Sequence, residues 1–201
     1  MRELLIATRN EGKMPEIRHA LEGLPFRIID INDASVLGGF EPEEAGTSYE
    51  ENASIKAKAY GMKSGYLALA DDSGIEVDAL GGAPGIGSAR YASGTDADRN
   101  RTLLIAMKDV PEEKRTARMI SAIAIYDPKK DLLRTCRAVV EGRITREPRG
   151  KRPFGYDPIF RYNEAGKTGG EMDVEEKHGY SHRGKALKYA RDILVAEFAG
   201  N

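Results

Sequence analysis

Apolar positions in this chain fall into short runs and one-sided stripes, and the two patterns alternate. Leu4-Leu5-Ile6-Ala7 is an apolar run of strand length and predicts a buried strand. Behind it, Ile17, Ala20, Leu21 and Leu24 recur at helical spacing, with Pro15 suited to a first helical turn. Residues 26–31 predict a second strand, and residues 32–46, rich in Gly, Asp and Glu, a loop. Thr47-Ser48-Tyr49-Glu50 has the form of a capping box and predicts a helix to about Ser64. Residues 66–70 predict a third strand that ends at Asp71-Asp72-Ser73-Gly74. This β-α-β-α-β order favours a partly parallel sheet with helices packed on it.

The pattern then changes. Gly and Pro interrupt residues 80–87 too often for a helix. A helix over about 96–108 places Leu103, Leu104 and Met107 on one side. Two long strand-like runs, 116–126 and 132–144, are joined by Asp127-Pro128-Lys129-Lys130 as a hairpin connection. A closing helix starts at Ser181 or a neighbour and carries Leu187, Ala190, Ile193, Leu194 and Phe198. The expected class is α/β with a mixed sheet. The long hairpin is expected to extend into a second lobe and leave a cleft, where ligands commonly bind.

Composition narrows the partners. A chain of 201 residues, about 40% of them apolar, is long enough for one domain or two fused lobes and is not disordered throughout. With 31 basic and 32 acidic residues the net charge is -1, which gives no field for nucleic acid or an anionic membrane. An anionic ligand would need positive charge gathered locally. The single cysteine, Cys136, excludes an intrachain disulfide and is expected as a thiol in a strand. No apolar run approaches the ~18 residues of a membrane span. Met1-Arg2-Glu3 lacks a signal-peptide layout, so a soluble, cytoplasmic protein is expected.

Five segments carry candidate chemistry. Thr8-Arg9-Asn10-Glu11-Gly12-Lys13 lies between a predicted strand and a predicted helix, where unpaired N–H groups and the helix dipole favour an anion. Lys13 adds charge, although a plain turn with a surface lysine also fits, and Met14 excludes a Walker A loop. Asp71-Asp72-Ser73 at a strand end suits Mg2+, or else a turn; adjacent strand residues face opposite ways, so one carboxylate would enter the cleft. In the acidic segment 43–52, Glu50 fits a helix cap, while Glu44 is free to reach a metal. Lys56 shares a helix face with Asn52 and Ala59 and is either solvated or turned to phosphates. Phe154-Gly155-Tyr156-Asp157-Pro158 offers rings for base stacking or is a core-packing turn. Lys177, with Ser181-His182-Arg183 at a helix start, is a donor-rich surface or simple capping.

The order of these segments is more specific than any one of them. Thr8-x-Asn10-x-x-Lys13, Glu51-Asn52-Ala53, Ala70-Asp71-Asp72-Ser73-Gly74, Leu80-Gly81-Gly82-x-Pro84-Gly85, Ser88-Ala89-Arg90, Phe154-Gly155-Tyr156-Asp157-Pro158 and Ser181-His182-Arg183 follow one another. Over nearly its whole length the chain resembles the inosine triphosphate pyrophosphatase family, in particular the bacterial and archaeal dITP/XTP pyrophosphatases. The resemblance implies one domain over 1–201, an elongated two-lobed α/β fold with a mixed twisted sheet, flanking helices and a central cleft, and a homodimer. It implies Mg2+-dependent hydrolysis of ITP, dITP and XTP to the monophosphate and pyrophosphate, which cleanses the nucleotide pool. It places Thr8, Arg9, Asn10, Glu11, Gly12, Lys13 and Lys56 on the triphosphate. Asp72 becomes proton acceptor and metal ligand, with Glu44 as second metal ligand. Ser73, Phe154, Gly155, Tyr156, Asp157, Lys177, His182 and Arg183 contact the substrate.

The chain departs from the family pattern at two places: Arg9 stands where Gly is common, and Lys151-Arg152-Pro153 where a glycine pair is frequent. In this reading Asp72 is the general base, and Lys13, Lys56 and Lys177 cover the leaving pyrophosphate. Donors such as Arg183 or the N–H groups near 154–157 would read the purine 6-oxygen and reject adenine. A pyrophosphatase for other modified or pyrimidine triphosphates, and a non-catalytic nucleotide sensor, are the competing readings.

Overall fold

The computed structural model describes residues 1–199; the last two positions of the expected 1–201 domain lie outside the described residues. Strands β1 (Arg2–Ile6), β2 (Phe26–Asp30), β3 (Leu67–Val77), β4 (Pro84–Gly85), β5 (Thr116–Asp127), β6 (Leu132–Ile144) and β7 (Phe160–Tyr162) form one sheet. Its order is β2-β1-β3-β5-β6-β7, with β4 beside β3. β1 pairs in parallel with β2 and β3, as helical crossovers demand, whereas β3–β4 and β6–β7 are antiparallel. The sheet is therefore mixed, as the sequence implied. The helices are α1 (Met14–Leu21), α2 (Tyr49–Ser64), α3 (Asp96–Ala106), α4 (Val174–Tyr180) and α5 (His182–Ile193), the last running into a π-helical turn, Leu194–Phe198.

The chain divides into two compact units. The first holds residues 1–72, 121–138 and 183–199. Ile17 and Leu21 of α1 and Ala186, Leu187 and Ala190 of α5 pack with Leu4, Ile6, Leu67, Leu69, Ile123 and Ile125 of β1, β3 and β5. Each large aliphatic side chain buried here contributes about 1.5–3 kcal/mol. Leu5 and Ala68, of opposite parity, are equally buried, so these strands are covered on both faces. Cys136 packs against this core, and burial pushes its thiol up to about 12, as expected of an inert core cysteine.

The second unit holds residues 73–120 and 139–182. Leu103 and Met107 of α3 pack with Ile75, Val77, Met119, Val140, Ile144, Phe160 and Tyr162. Arg115 is 1% exposed, and its guanidinium donates to the carbonyls of Met107, Val110, Ile144 and Thr145. These bonds tie the end of α3 to the end of β6.

Several elements differ from the sequence reading. β3 does not stop at Ala70 but continues to Val77, because β4 pairs with Ile75 and Glu76 and Ser88 Oγ accepts from the Ile75 N–H at 2.9 Å. The α2 box lies one residue later than expected. Ser48 is the N-cap, and the Glu51 carboxylate accepts from Thr47, while Glu50 instead pairs with Arg137. Leu24 lies beyond the end of α1. The pattern gave no sign of β7 or α4.

Candidate active site

The segment after β1 folds on itself. The Asn10 N–H donates to Thr8 Oγ1, the Gly12 N–H to Asn10 Oδ1, the Lys13 N–H to the Asn10 carbonyl and the Met14 N–H to the Glu11 carbonyl. The expected cradle of free amides is therefore absent at Asn10, Gly12, Lys13 and Met14. Thr8 and Asn10 act through their oxygens as acceptors that shape the turn. Arg9, exposed, donates to the Phe40 carbonyl at 3.0 Å. What the segment can offer an anion is its side chains: the charge of Lys13, the N-cap of α1, with the Thr8 hydroxyl and the Asn10 amide N–H groups.

Strand alternation separates the two aspartates. Asp71 has the parity of Leu67 and Leu69, which face α1 and α5, and its carboxylate meets groups from those helices. Lys13 Nζ lies at 2.5 Å, Arg183 Nε at 3.4 Å and Ser121 Oγ at 2.7 Å. Arg183 Nη1 also donates to Glu16 Oε2 at 3.0 Å. Burial alone would raise the Asp71 carboxyl, but Lys13 and Arg183 outweigh it and hold it well below the usual range. Burial lowers Lys13 from the ordinary lysine value, against the pull of Asp71. The sequence expected the two carboxylates to face opposite ways, and they do; Asp71 is the counter-ion of Lys13 and Arg183. Arg183 is 3% exposed and pairs with Asp71 and Glu16.

Asp72 meets α2. Lys56 Nζ lies 2.8 Å from Asp72 Oδ1 and 3.2 Å from Glu44 Oε2. Glu44 stands in the loop before α2, fixed by the Gly46 N–H, which donates to Asn52 Oδ1 at 2.9 Å. A Cβ on Gly46 would stand 2.6 Å from that oxygen and 2.8 Å from Glu51 Cβ, so the loop packs closely on the helix start. Burial raises the Asp72 carboxyl above the ordinary value despite Lys56 beside it, which suits a proton acceptor. Asp72 and Glu44 raise the Lys56 ammonium despite burial.

The donor set fits a magnesium ion. No group of three His, Cys, Asp or Glu able to hold a metal occurs among the described residues. Two carboxylates, however, converge on a single cationic atom. Mg2+ typically takes one or two carboxylates and completes its shell with water and substrate phosphate.

The second unit holds the remaining candidates. Lys177 is 2% exposed and lies 2.5 Å from Asp157 Oδ2, with its Nζ 5.2 Å from the centre of the Phe154 ring. Gly155, at φ +55°, sits in the left-handed region that favours glycine. Its N–H donates to Asp96 Oδ2 at 2.6 Å, and its carbonyl accepts from Asn100 Nδ2 at 3.0 Å. Tyr156 is buried in the core, and its hydroxyl donates to the Ser88 carbonyl at 2.8 Å. Its ring is spent on packing, so of the two aromatics only Phe154, half-buried, keeps ring surface to offer. His182 and Ser181 are buried at the start of α5, and Ser73 is half-buried in β3.

A profile of the Ham1 family matches residues 4–193. The chain belongs to the Ham1 family. It is 47% identical over 197 residues to the dITP/XTP pyrophosphatase of Symbiobacterium thermophilum, covering 97% of this chain and 96% of the relative. It is 46% identical to that of Pseudomonas aeruginosa, covering 96% and 98%. Among solved structures, the HAM1 protein of Coxiella burnetii superposes with a TM-score of 0.86 at 39% identity, covering 97% of this chain and 99% of that one. The Ham1 protein of Staphylococcus aureus gives 0.85 at 32%, covering 98% and 100%.

In this Ham1 chain three residues matter that the sequence reading left without a role. Asp71 and Glu16 neutralise Lys13 and Arg183, and Asn52 fixes the Glu44 loop. Strand alternation carried the signal for Asp71, since it had to face away from Asp72. Asn52 lies four residues from Lys56, one turn along α2, and that spacing hinted at a shared face. Nothing local marked Glu16, whose partner lies 167 positions away.

Proposed function

We propose that this Ham1 protein hydrolyses non-standard purine nucleoside triphosphates, ITP, dITP and XTP, to the monophosphate and pyrophosphate. The observation that carries the reading is the convergence of Asp72 and Glu44 on one cation, with Lys13 on the neighbouring Asp71. The names of the relatives support dITP and XTP. In the proposed mechanism Asp72 accepts the proton of the water that attacks the α-phosphorus, helped by its raised pKa. Bound Mg2+, held by Asp72 and Glu44, supplies Lewis-acid cover for the phosphate charge. Lys13 can turn to the phosphates because Asp71 keeps Arg183 and Ser121 when the lysine leaves. Lys56 joins it there.

Substrate contacts of Ser73, Phe154, Gly155, Asp157, Lys177 and His182 belong to the same proposal, as do a homodimer and a cytoplasmic location. A buried donor aimed at the purine 6-oxygen is left unpaired by adenine, which can give about 10⁴–10⁵-fold discrimination. This role is assigned to Arg183 or to the backbone N–H groups near 154–157. The test is pyrophosphate release over a panel of nucleoside triphosphates with and without Mg2+. Rapid, Mg2+-dependent cleavage of ITP, dITP and XTP with slow cleavage of ATP is expected. Equal rates on all four would reject the selectivity, and no release from any would reject the enzyme.

A further inference from the structure

We propose that Lys56 is a placeholder cation, which bars a divalent metal from Asp72 and Glu44 until a triphosphate draws its ammonium away. The inference rests on the reading of these two carboxylates as the metal ligands and goes beyond it. The ammonium stands 2.8 Å from one carboxylate and 3.2 Å from the other, and so lies at the point on which both converge. A magnesium ion bound by both oxygens would occupy that space, at oxygen distances of about 2.0–2.1 Å. The two cations also repel, so the site holds one or the other.

Lys56 cannot leave without cost. Its side chain is 12% exposed, and its departure would strand a poorly hydrated ammonium unless another anion received it. A triphosphate is that anion. The lysine projects from the middle of α2, and its four-carbon stem lets Nζ move by several ångströms with the helix fixed. The backbone under Asp72 is a paired strand, and the Gly46–Asn52 bond ties the loop beside Glu44 to α2. In the proposal the part that moves is the lysine. Metal and triphosphate enter together, and the charge that guarded the empty site moves onto the phosphates. The free protein, in consequence, has little affinity for the metal alone.

Mn2+ binding to the nucleotide-free full chain tests this, read by the loss of the free-ion paramagnetic resonance signal. Wild type is expected to bind weakly. Lys56→Gln, which keeps the stem and removes the charge, should bind at least about tenfold more tightly. Lys56→Arg, which keeps a cation in place, should stay weak. Adding Asp72→Asn to Lys56→Gln should abolish the gain. Equal affinity in wild type and Lys56→Gln, or tight binding by wild type alone, would overturn the proposal.

A second readout uses wild type only and covers the case in which Lys56→Gln does not fold. The lysine ammonium resonance of Lys56 should be unmoved by MgCl2 and should shift when a non-hydrolysable triphosphate is added with it. A shift with MgCl2 alone counts against the idea. Neither measurement depends on turnover, so failure of the substrate assignment would appear separately, in the pyrophosphate panel.

Discussion

Lys13 pairs with Asp71, at 2.5 Å, and not with the neighbouring Asp72. Two adjacent carboxylates of the same type thus have different duties. Asp71 is walled in by Lys13, Arg183 and Ser121, and Asp72 is left to α2 and the Glu44 loop. Substitutions should separate them. Asp72→Asn is expected to keep the fold and lower kcat by about 10²–10⁴-fold, the usual worth of a general base. Asp71→Asn strands the Lys13 ammonium and weakens the pairing of Arg183, which keeps Glu16, and should cost about 3–5 kcal/mol of stability. Denaturant titration beside steady-state rates checks the pair; normal turnover in Asp72→Asn would remove it from the base role.

The same ion pair sets a pH dependence. Because Lys13 and Arg183 outweigh burial, the folded pKa of Asp71 lies below its unfolded value of about 4. A depressed acid stabilises the fold above its unfolded pKa, and that contribution disappears as pH falls through the folded one. The Tm gap between wild type and Asp71→Asn should therefore be constant near neutrality and shrink below about pH 4. A gap that widens on acidification would contradict the assignment.

Glu44 depends on how closely its loop lies on α2. Gly46→Ala brings a methyl to 2.6 Å from Asn52 Oδ1, and Asn52→Ala removes the acceptor of the Gly46 N–H. Either change should raise the Mg2+ concentration for half-maximal turnover by about 10–100-fold, as loss of an outer contact to a metal ligand does. Circular dichroism on the same samples separates this from unfolding. An unchanged Mg2+ requirement in both variants would mean that Glu44 is not held by this contact.

The aromatic pair at 154 and 156 should divide in the same way. Tyr156→Phe loses a buried bond to the Ser88 carbonyl and is expected to cost about 0.5–1.5 kcal/mol of stability with KM unchanged. Phe154→Ala should raise KM for ITP with a smaller effect on stability. If Tyr156→Phe alters KM instead, its hydroxyl has a role outside the core.

Much of this was legible in the chain. Apolar runs located β1, β2 and the β5–β6 pair, one-sided stripes located α1, α3 and α5, and a capping pattern located α2. The motifs also named Asp72, Glu44 and Lys56 before their convergence was seen. What stayed hidden was non-local. Ser73-Gly74 looks like a turn, but β3 runs through it and pairs with β4 just beyond, at Ile75 and Glu76. α4 is seven residues with one buried side chain, Lys177, and so carries no stripe to read. The oxygens of Thr8 and Asn10 also accept within the turn, which their residue types alone did not show. The pairing of Arg183 was also hidden, since Asp71 and Glu16 lie 112 and 167 positions away.

Gly155 is tied at both its amide and its carbonyl to the first turns of α3, through Asp96 and Asn100. A glycine offers no side chain to anchor, so the helix steers this turn by its main chain alone. Sequence drift at positions 96 and 100 would reach the ring at 154 without altering any residue beside it. A chain that needed to change its diet of nucleotides could begin there.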